Sequence, residues 1–264
     1  MTETVVRNPV RERLAAGGLA LGIGVRAVRG PEMAAMMKTA GFDWLFIDLE
    51  HGQMSIDQAC QMSVAALGAG IAPIVRVPLG EYTMATRLLD GGALGIVVPH
   101  VDTADEARVI ADKLRYPPQG HRSIQSGLAQ LGFNVPPYAE AMAALNAATF
   151  VVAMLETPTA VANAEAMAAV PGIDCLLVGC GDLSIELGIP GQGDHPKIAA
   201  AIDATVAACR KHGKVPGLGG VYVDAVQKRY VDAGMRMILA GGDLSLLMGA
   251  ARAKAQILRG FEKK

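Results

Sequence analysis

Charged side chains stand at the ends of several otherwise apolar runs, where a charge is costly to bury without a partner. Glu156 follows one such run, and Asp182 follows the next run along the chain. Two carboxylates that meet at one edge suit a hard divalent cation such as Mg²⁺ or Mn²⁺, which acts there as a Lewis acid. In the alternative interpretation, either carboxylate caps a helix or pairs with an arginine, and Asp182 shortly before Ser184 fits a cap.

Asp48 and, three residues later, His51 lie at the end of another apolar run. One turn of chain would bring the Asp48 carboxylate to a nitrogen of the His51 imidazole. Such a contact fixes the tautomer and raises the basicity of the other nitrogen, which describes a general base. The alternative is a surface histidine, with Asp48 capping the helix that is expected near Ser55, although Ser55 is itself a better cap.

Arg76 is an arginine inside a strand pattern at the same edge. A guanidinium in this place would bind a carboxylate through two hydrogen bonds and stabilise negative charge on a neighbouring oxygen. The alternative makes Arg76 a buried partner of Asp48 or Glu50. No lysine falls in a strand pattern where a Schiff base would need one, and neither a P-loop nor a G-x-S-x-G elbow occurs in the sequence.

Strand and helix patterns alternate along the chain and must position these side chains. The eight apolar runs predicted as strands are 19–25, 44–49, 73–77, 95–99, 150–155, 173–178, 215–218 and 235–240. The alanine-rich segments with helical periodicity include 55–67, 104–114, 160–169, 196–212 and 243–258. Strands that are apolar on both faces, each followed by a helix, predict a closed (β/α)8 TIM barrel in a single domain, with its active site at the carboxyl ends of the strands.

A doubly wound open sheet is the competing architecture, because Gly22 and Gly24 imitate a dinucleotide fingerprint. The next helix is expected to begin only at Pro31, so these glycines do not open a helix as that motif requires. Residues 1–16 are interpreted as an N-terminal extension of the domain 1–264. The Pro- and Gly-rich stretch 116–140 is expected to form a long loop near the active site.

Composition argues against several classes of partner. The chain has 264 residues, of which 52% are apolar and only 4% aromatic, and its formal net charge is -1. Without a basic stripe or interleaved aromatics, no nucleic-acid partner is expected. The apolar runs are broken well before the roughly 20 residues of a membrane span, so we expect a cytoplasmic protein without membrane attachment. The four cysteines form no C-x-x-C pair and are expected to be reduced thiols rather than zinc ligands.

Several motifs in a fixed order carry a resemblance to a known family. They are FDWLFIDLEHG (42–52), RVP (76–78), LLDGGA (88–93), RYPPQG (115–120), LET (155–157) and GCGDLS (179–184). Together they resemble the class II, metal-dependent pyruvate aldolases, such as the 4-hydroxy-2-oxoheptanedioate and 2-keto-3-deoxy-glucarate aldolases, with macrophomate synthase as a relative. The similarity covers about residues 19–250.

The resemblance implies a carbon–carbon lyase that reversibly cleaves a 4-hydroxy-2-oxo acid into pyruvate, or hydroxypyruvate, and an aldehyde, through an enolate stabilised by a divalent metal. Glu156 and Asp182 would hold Mg²⁺ or Mn²⁺, with Co²⁺ or Zn²⁺ as alternatives. His51, oriented by Asp48, would move the proton, and Arg76 would stabilise the enolate.

The resemblance also implies further substrate contacts and an assembly. Besides Arg76, the expected substrate contacts are Gly181, Asp182, Asp90, His100 and Arg122. Asp90 matches a family position that contacts the active site of a neighbouring subunit. Family members are typically hexamers, built as dimers of trimers, with the last helix exchanged between subunits.

Three departures from the family pattern bear on the aldehyde pocket. Met154 stands where many members carry Gln, Cys180 and Gly181 replace a common Pro-Ala, and His100 occupies a position that is often Met. The alternative enzymes are a metal-dependent oxaloacetate decarboxylase and a macrophomate-synthase-like enzyme, because loss of CO₂ from a 2-oxo acid passes through the same enolate. From another class, a non-catalytic 2-oxo acid binding protein is opposed by the Asp48 and His51 pair, since binding alone needs no base.

Overall fold

Eight parallel strands form a closed barrel in the computed structural model, which describes residues 4–262. The strands are β1 (Ala20–Val25), β2 (Trp44–Asp48), β3 (Ala72–Arg76), β4 (Gly95–Val98), β5 (Phe150–Leu155), β6 (Cys175–Gly179), β7 (Val215–Gly219) and β8 (Met237–Gly242). Each strand pairs with the next, and β8 pairs with β1. The predicted (β/α)8 barrel is confirmed, and the open sheet is wrong.

Helices cover the outside of the barrel. Those in the described part of the chain are α1 (Pro9–Ala15), α2 (Glu32–Thr39), α3 (Ile56–Ala69), α4 (Tyr82–Asp90), α5 (Ala104–Leu114), α6 (Tyr138–Ala148), α7 (Pro158–Ala162), α8 (Ala164–Ala168), α9 (Cys180–Glu186), α10 (Pro196–His212), α11 (Asp224–Ala233) and α12 (Asp243–Arg259). The helix predicted at 160–169 is instead the short pair α7 and α8, which meet at Asn163. Within residues 4–262, no helix has both the length and the hydropathy that a bilayer span needs.

Large side chains fill the inside of the barrel, and one glycine makes room for the largest of them. Trp44 is fully buried, and its indole N–H donates to the Ala20 carbonyl at 3.2 Å. A Cβ on Gly22 would come within 2.1 Å of the Trp44 ring. Gly22 therefore serves core packing, which explains the glycine that imitated a dinucleotide fingerprint.

The N-terminal segment packs against the amino-terminal end of the barrel. The Asn8 side chain caps α1 and donates to the carbonyls of Leu94 and Ala148, at 3.3 and 2.7 Å. Val10 is fully buried. The described part of the predicted extension 1–16 is therefore a component of the barrel, while residues 1–3 lie outside the described residues.

The long connection between α5 and α6 packs on the outer wall of the barrel. It begins after the last residue of α5, at the end of the barrel opposite the carboxyl ends of the strands. The predicted loop 116–140 is shorter in the structure, because α6 already begins at Tyr138. Gln130 donates to the carbonyls of Leu89 and Ala93, at 2.6 and 3.0 Å, and so joins the loop to the end of α4. The expectation that 116–140 lies near the active site stays a prediction.

Candidate active site

The neighbouring ends of β2 and β3 bring an aspartate and an arginine together. Register pairs Asp48 with Arg76 directly across the two strands. The guanidinium donates from Nε to Oδ1 at 3.0 Å and from Nη2 to Oδ2 at 2.7 Å, and both side chains are buried. This is the bidentate arginine–carboxylate geometry, which fixes both groups at the mouth of the barrel.

Two further charged groups complete this network. Arg26, which follows β1, places its Nε 2.7 Å from Asp48 Oδ2, and Arg76 Nη1 lies 2.9 Å from Glu50 Oε2. Burial alone would raise the pKa of Asp48, but the hydrogen bonds and charge of Arg76 outweigh it and hold that pKa below its ordinary value. Two carboxylates and two guanidiniums therefore balance one another.

The structure corrects the predicted contact between Asp48 and the His51 imidazole. Asp48 Oδ1 accepts the backbone N–H groups of Glu50 and His51, at 3.1 and 3.2 Å, so it orients the turn rather than the ring. The half-exposed imidazole lies on the Glu50 side, with Nε2 3.8 Å from Oε2. A Cβ on Gly52 would come within 1.9 Å of the Asp48 carbonyl, so only glycine fits this tight turn. The cap of α3 is Ser55, as predicted.

Glu156, at the end of β5, is a buried carboxylate of a different kind. Its Oε2 accepts the backbone N–H of His100 at 2.9 Å, and His100 adopts a left-handed φ of 50°. The carboxylate fits beside β6 because Gly179 has no side chain: a Cβ there would stand 2.6 Å from the Glu156 Cγ. Burial raises the pKa of Glu156 to about 7, and the negative charge of Asp182 contributes to this rise.

The carboxylate pair of Glu156 and Asp182 fits a divalent cation. Asp182 lies in the first turn of α9, directly after the strand that neighbours β5. Within residues 4–262, neither carboxylate has an arginine or lysine within ion-pair distance, and no group of three or more His, Cys, Asp or Glu side chains forms a metal cluster. Two carboxylates with open positions for water and substrate match the way proteins bind Mg²⁺.

The other predicted substrate contacts divide between two places. His100 lies at the mouth, with Nδ1 3.5 Å from Glu156 Oε2, and the exposed Gly181 lies beside Asp182 in α9. Arg122 instead pairs with Asp90 at 2.6 Å on the outer wall of the barrel. The mouth of this chain therefore contains four of the six expected contacts, counting Arg76, while Asp90 and the buried Arg122 lie on the outer wall.

Sequence reasoning did not identify Arg26 as a site residue, and it named Glu50 only as a partner for Arg76. The available signal for Arg26 was its position directly after the first apolar run, where the mouth of the barrel begins. The cysteines are free, as expected, with Cys175, Cys180 and Cys209 buried and Cys60 partly exposed.

Comparisons with known proteins agree along most of the chain. Residues 27–250 match the model of the HpcH/HpaI aldolase/citrate lyase family. A 4-hydroxy-4-methyl-2-oxoglutarate aldolase of Hapsidospora irregularis is 39% identical, with 91% of this chain and 90% of the relative covered. A hydroxypyruvate/pyruvate aldolase of Cupriavidus necator is 35% identical, with 96% and 93% covered. The crystal structure of macrophomate synthase superposes with a TM-score of 0.80 at 26% identity, with 98% and 93% covered.

Proposed function

The chain belongs to the HpcH/HpaI aldolase/citrate lyase family, and from that premise we propose that it reversibly cleaves a 4-hydroxy-2-oxo acid into pyruvate, or hydroxypyruvate, and an aldehyde. The observation that carries the proposal is the composition of the mouth. Among residues 4–262, the carboxylates of Glu156 and Asp182 have no arginine or lysine within ion-pair distance, and they adjoin the bidentate pair of Asp48 and Arg76. The relatives named for aldol chemistry on 2-oxo acids support the reaction class.

Glu156 and Asp182 are the proposed holders of the metal. Mg²⁺ or Mn²⁺ suits two carboxylates best, with Co²⁺ or Zn²⁺ as alternatives. When bound, the cation supplies Lewis acidity to the carboxylate and keto oxygens of the 2-oxo acid. Gly179 leaves the space that the Glu156 side chain needs to reach this position.

Arg76 would stabilise the negative charge that develops when the carbon–carbon bond breaks. Two of its five N–H groups are hydrogen-bonded to Asp48, so donors on Nη1 and Nη2 remain for the substrate carboxylate and the enolate oxygen. Because Asp48 and Glu50 fix the guanidinium beforehand, little reorganisation is needed as the charge appears.

His51 would act as the general base. It takes the proton from the 4-hydroxyl group, the C3–C4 bond breaks, and the aldehyde leaves while the electron pair enters the enolate of pyruvate. Protonation of the enolate at C3 gives pyruvate, and the reverse sequence forms the bond. The exposed imidazole on the 48–52 turn has room to approach a substrate, and Asp48 holds that turn through its backbone. His100, Gly181 and Asp182 are the proposed additional substrate contacts of the same mouth.

The proposed assembly is a homohexamer, a dimer of trimers in which α12 is exchanged. The helix supports this proposal because it exposes many apolar side chains: Leu244, Leu246, Leu247, Met248, Ile257 and Leu258. Asp90, which pairs with the buried Arg122 on the outer wall, is the proposed contact to the active site of a neighbouring subunit. A cytoplasmic location stays a prediction from composition.

Decarboxylation of a 2-oxo acid such as oxaloacetate is the second candidate. It needs stabilisation of the same enolate, for which Arg76 and the carboxylate pair would suffice, but it needs no base for a 4-hydroxyl group. The exposed position of His51 at the mouth favours the aldolase over this reaction.

The proposal is tested by supplying purified protein with Mg²⁺ or Mn²⁺, pyruvate or hydroxypyruvate, and a panel of aldehydes. We expect new carbon–carbon bonds, detected as 4-hydroxy-2-oxo acids by mass spectrometry, and no product when EDTA replaces the metal. Lys211→Gln, which changes an exposed residue of α10, is the matched control and should retain full activity. Absence of product with every donor, aldehyde and metal would refute the proposal.

A further inference from the structure

The turn that connects β4 to α5 lies against the end of β5, directly beside Glu156. Residues 99–103 form this β4–α5 turn. His100 donates its backbone N–H to Glu156 Oε2 at 2.9 Å, and Val101 donates its own to the Met154 carbonyl at 3.1 Å. Two successive backbone donors therefore bind the turn to the carboxylate and to the strand that precedes it.

Side chains on both sides of the β4–α5 turn hold it in place. The Thr157 hydroxyl donates to the Asp102 carboxylate at 2.5 Å, and the Asn163 side chain donates to the Asp102 carbonyl at 2.8 Å. On the α5 side, Glu106 Oε2 accepts the backbone N–H groups of Asp102 and of the next residue, each at 2.9 Å. The four backbone N–H groups of residues 100–103 therefore all have a partner.

The backbone of His100 needs these contacts to keep its conformation. Its left-handed φ of 50° is unfavourable for a residue that has a β-carbon, and such a conformation persists only where the surrounding structure holds it. In this conformation the His100 N–H reaches Glu156. A turn released from Asp102 would relax, and the carboxylate would lose its backbone donor.

The two carboxylate oxygens of Glu156 have different neighbours. Oε2 accepts the His100 N–H, whereas Oε1 lies beside β6, since a Cβ on Gly179 would stand 2.7 Å from it. Asp182 follows β6 in the first turn of α9. Oε1 is therefore the Glu156 oxygen on the side of the strand that leads to the second carboxylate.

We propose that Asp102 is a positioning residue for the metal site, because it fixes the β4–α5 turn that orients Glu156. The turn binds Oε2 and leaves Oε1 for the divalent cation, while Asp102 itself is not a ligand. A carboxylate that is oriented before the cation arrives loses less side-chain freedom on binding. This inference rests on the proposed metal site of Glu156 and Asp182, and it adds the residues that orient that site.

Binding of Mn²⁺ without substrate tests the inference, because electron paramagnetic resonance at pH 8 measures the free ion. We expect Asp102→Ala to raise the Mn²⁺ Kd by about 10- to 100-fold, the usual effect of removing a group that orients a metal ligand. Thr157→Val should act similarly. Asp102→Asn and Thr157→Ser keep an acceptor and a hydroxyl, so their Kd should stay within about 3-fold of the wild type.

The double variant of Asp102→Ala and Thr157→Val should bind Mn²⁺ about as well as either single variant, because one hydrogen bond joins the two side chains. Thr157 also caps α7, where its hydroxyl accepts the Ala160 N–H at 3.0 Å. Losses that multiply in the double variant would overturn the inference, because Thr157 would then act through that cap.

His100→Gly separates the backbone N–H from the imidazole, whose Nδ1 lies 3.5 Å from Glu156 Oε2. Glycine adopts a left-handed φ without strain and keeps the N–H, so the Mn²⁺ Kd should stay within about 3-fold of the wild type. A loss as large as that of Asp102→Ala would overturn the inference, because the imidazole would then position Glu156.

Asp243→Ala is the matched control, because this carboxylate fixes a different loop at the mouth. Its Oδ2 accepts the backbone N–H groups of residues 26–28, at 3.1, 2.8 and 2.8 Å. The variant should keep the wild-type Mn²⁺ Kd. An equal loss in Asp243→Ala would overturn the inference, because any loosened loop at the mouth would then weaken binding.

Circular dichroism of each variant shows whether it is folded, and Thr157→Val decides the question if Asp102→Ala does not fold. A wild-type Mn²⁺ Kd in the folded variants would overturn the role of Asp102 and leave the metal site intact. A wild type that binds Mn²⁺ no more tightly than Glu156→Ala would instead refute the proposed metal site.

Discussion

The two halves of the barrel mouth hold their carboxylates in opposite ways. The arginine half, consisting of Arg26, Asp48, Glu50 and Arg76, pairs two carboxylates with two guanidiniums. The carboxylate half, consisting of Glu156 and Asp182, has no arginine or lysine within ion-pair distance among the described residues. The pKa of Asp48 is lowered, while that of Glu156 is raised to about 7.

The two halves differ in where the charge that compensates their carboxylates comes from. The arginine half is organised by the chain itself, because a buried charge is tolerated when its partner is fixed in good geometry. The carboxylate half carries uncompensated negative charge that a bound cation would relieve. In the proposed reaction the chain would therefore supply its own positive charge for the enolate, and a bound metal would supply the positive charge at Glu156 and Asp182.

Removing the carboxylate half should have the largest effect on activity. We expect Glu156→Ala and Asp182→Ala each to lower metal-dependent turnover by at least about 10³-fold, because each removes half of the proposed metal site. Both variants should keep the circular dichroism spectrum of the wild type. Activity that survives either substitution, or treatment with EDTA, would contradict the assignment of metal binding to the carboxylate half.

His51→Ala tests the base that adjoins the arginine half. Aldol cleavage should fall by roughly 10² to 10⁴, because the 4-hydroxyl group loses its proton acceptor. Any oxaloacetate decarboxylation should be largely retained, since that reaction needs only enolate stabilisation. Both rates are measured on the same preparation. Equal losses in the two reactions would remove the reason for assigning His51 as the base.

Arg76→Lys asks whether the arginine half depends on geometry or only on charge. We expect kcat to fall by about 10² to 10³, because a point charge cannot donate in parallel to Asp48 and to an enolate oxygen. The comparison is made at saturating substrate and metal. A lysine variant within a few-fold of the wild type would make Arg76 a structural partner of Asp48.

Asp48→Asn should destabilise the fold, because it removes the carboxylate that pairs with the buried guanidinium of Arg76 through two hydrogen bonds. We expect a loss of about 3 kcal/mol in the free energy of unfolding at pH 7, measured with urea. Since folding lowers the pKa of Asp48, the wild-type advantage is full above the ordinary aspartate pKa and disappears as the pH falls through the lower folded value. Asp57→Asn, which alters an exposed carboxylate bound to Gln61, is the control and should change little.

Glu156→Gln should raise the free energy of unfolding of the metal-free protein, whereas Asp48→Asn should lower it. Between about pH 4.5 and 7 the folded wild type keeps a proton that the unfolded chain has released, so its stability falls as the pH rises through this window. The variant lacks this loss and should be more stable at pH 8, by on the order of 2 to 3 kcal/mol, with little difference near pH 5. Thermal unfolding in EDTA measures both values. A difference that stays constant from pH 5 to 8 would contradict the contrast between the halves.

Elements with strong local signals could be predicted from the sequence. The bounds of α5 agree because Thr103 and Glu106 form a capping box, and those of α10 agree because Pro196 opens it and Gly213 ends it in a left-handed conformation. Helix α6 was missed, since it follows a pair of prolines in a segment that resembles a continuous loop. The family and the reaction class, which the motifs indicated, are confirmed.

The partner of Asp48 could not be predicted in the same way. Sequence spacing left both the His51 ring and Arg76 as candidates, and the choice depends on the register between β2 and β3. Arg26 reaches the same carboxylate from β1, and no local pattern distinguishes such an arginine from one in a solvated loop. The roles of these residues stay predictions until the variants are measured.

The carboxylate of Asp243 links the first and last strands of the barrel, and this has a consequence for protein synthesis. It accepts the backbone N–H of Arg26, which precedes it by 217 residues. A ribosome must therefore deliver more than nine-tenths of the 264 residues before the loop after β1 can be fixed. Contacts of such long range are the slow ones in folding. A nascent chain that stalls before residue 243 contains the residues of all eight strands, yet it lacks the carboxylate that fixes the backbone of Arg26.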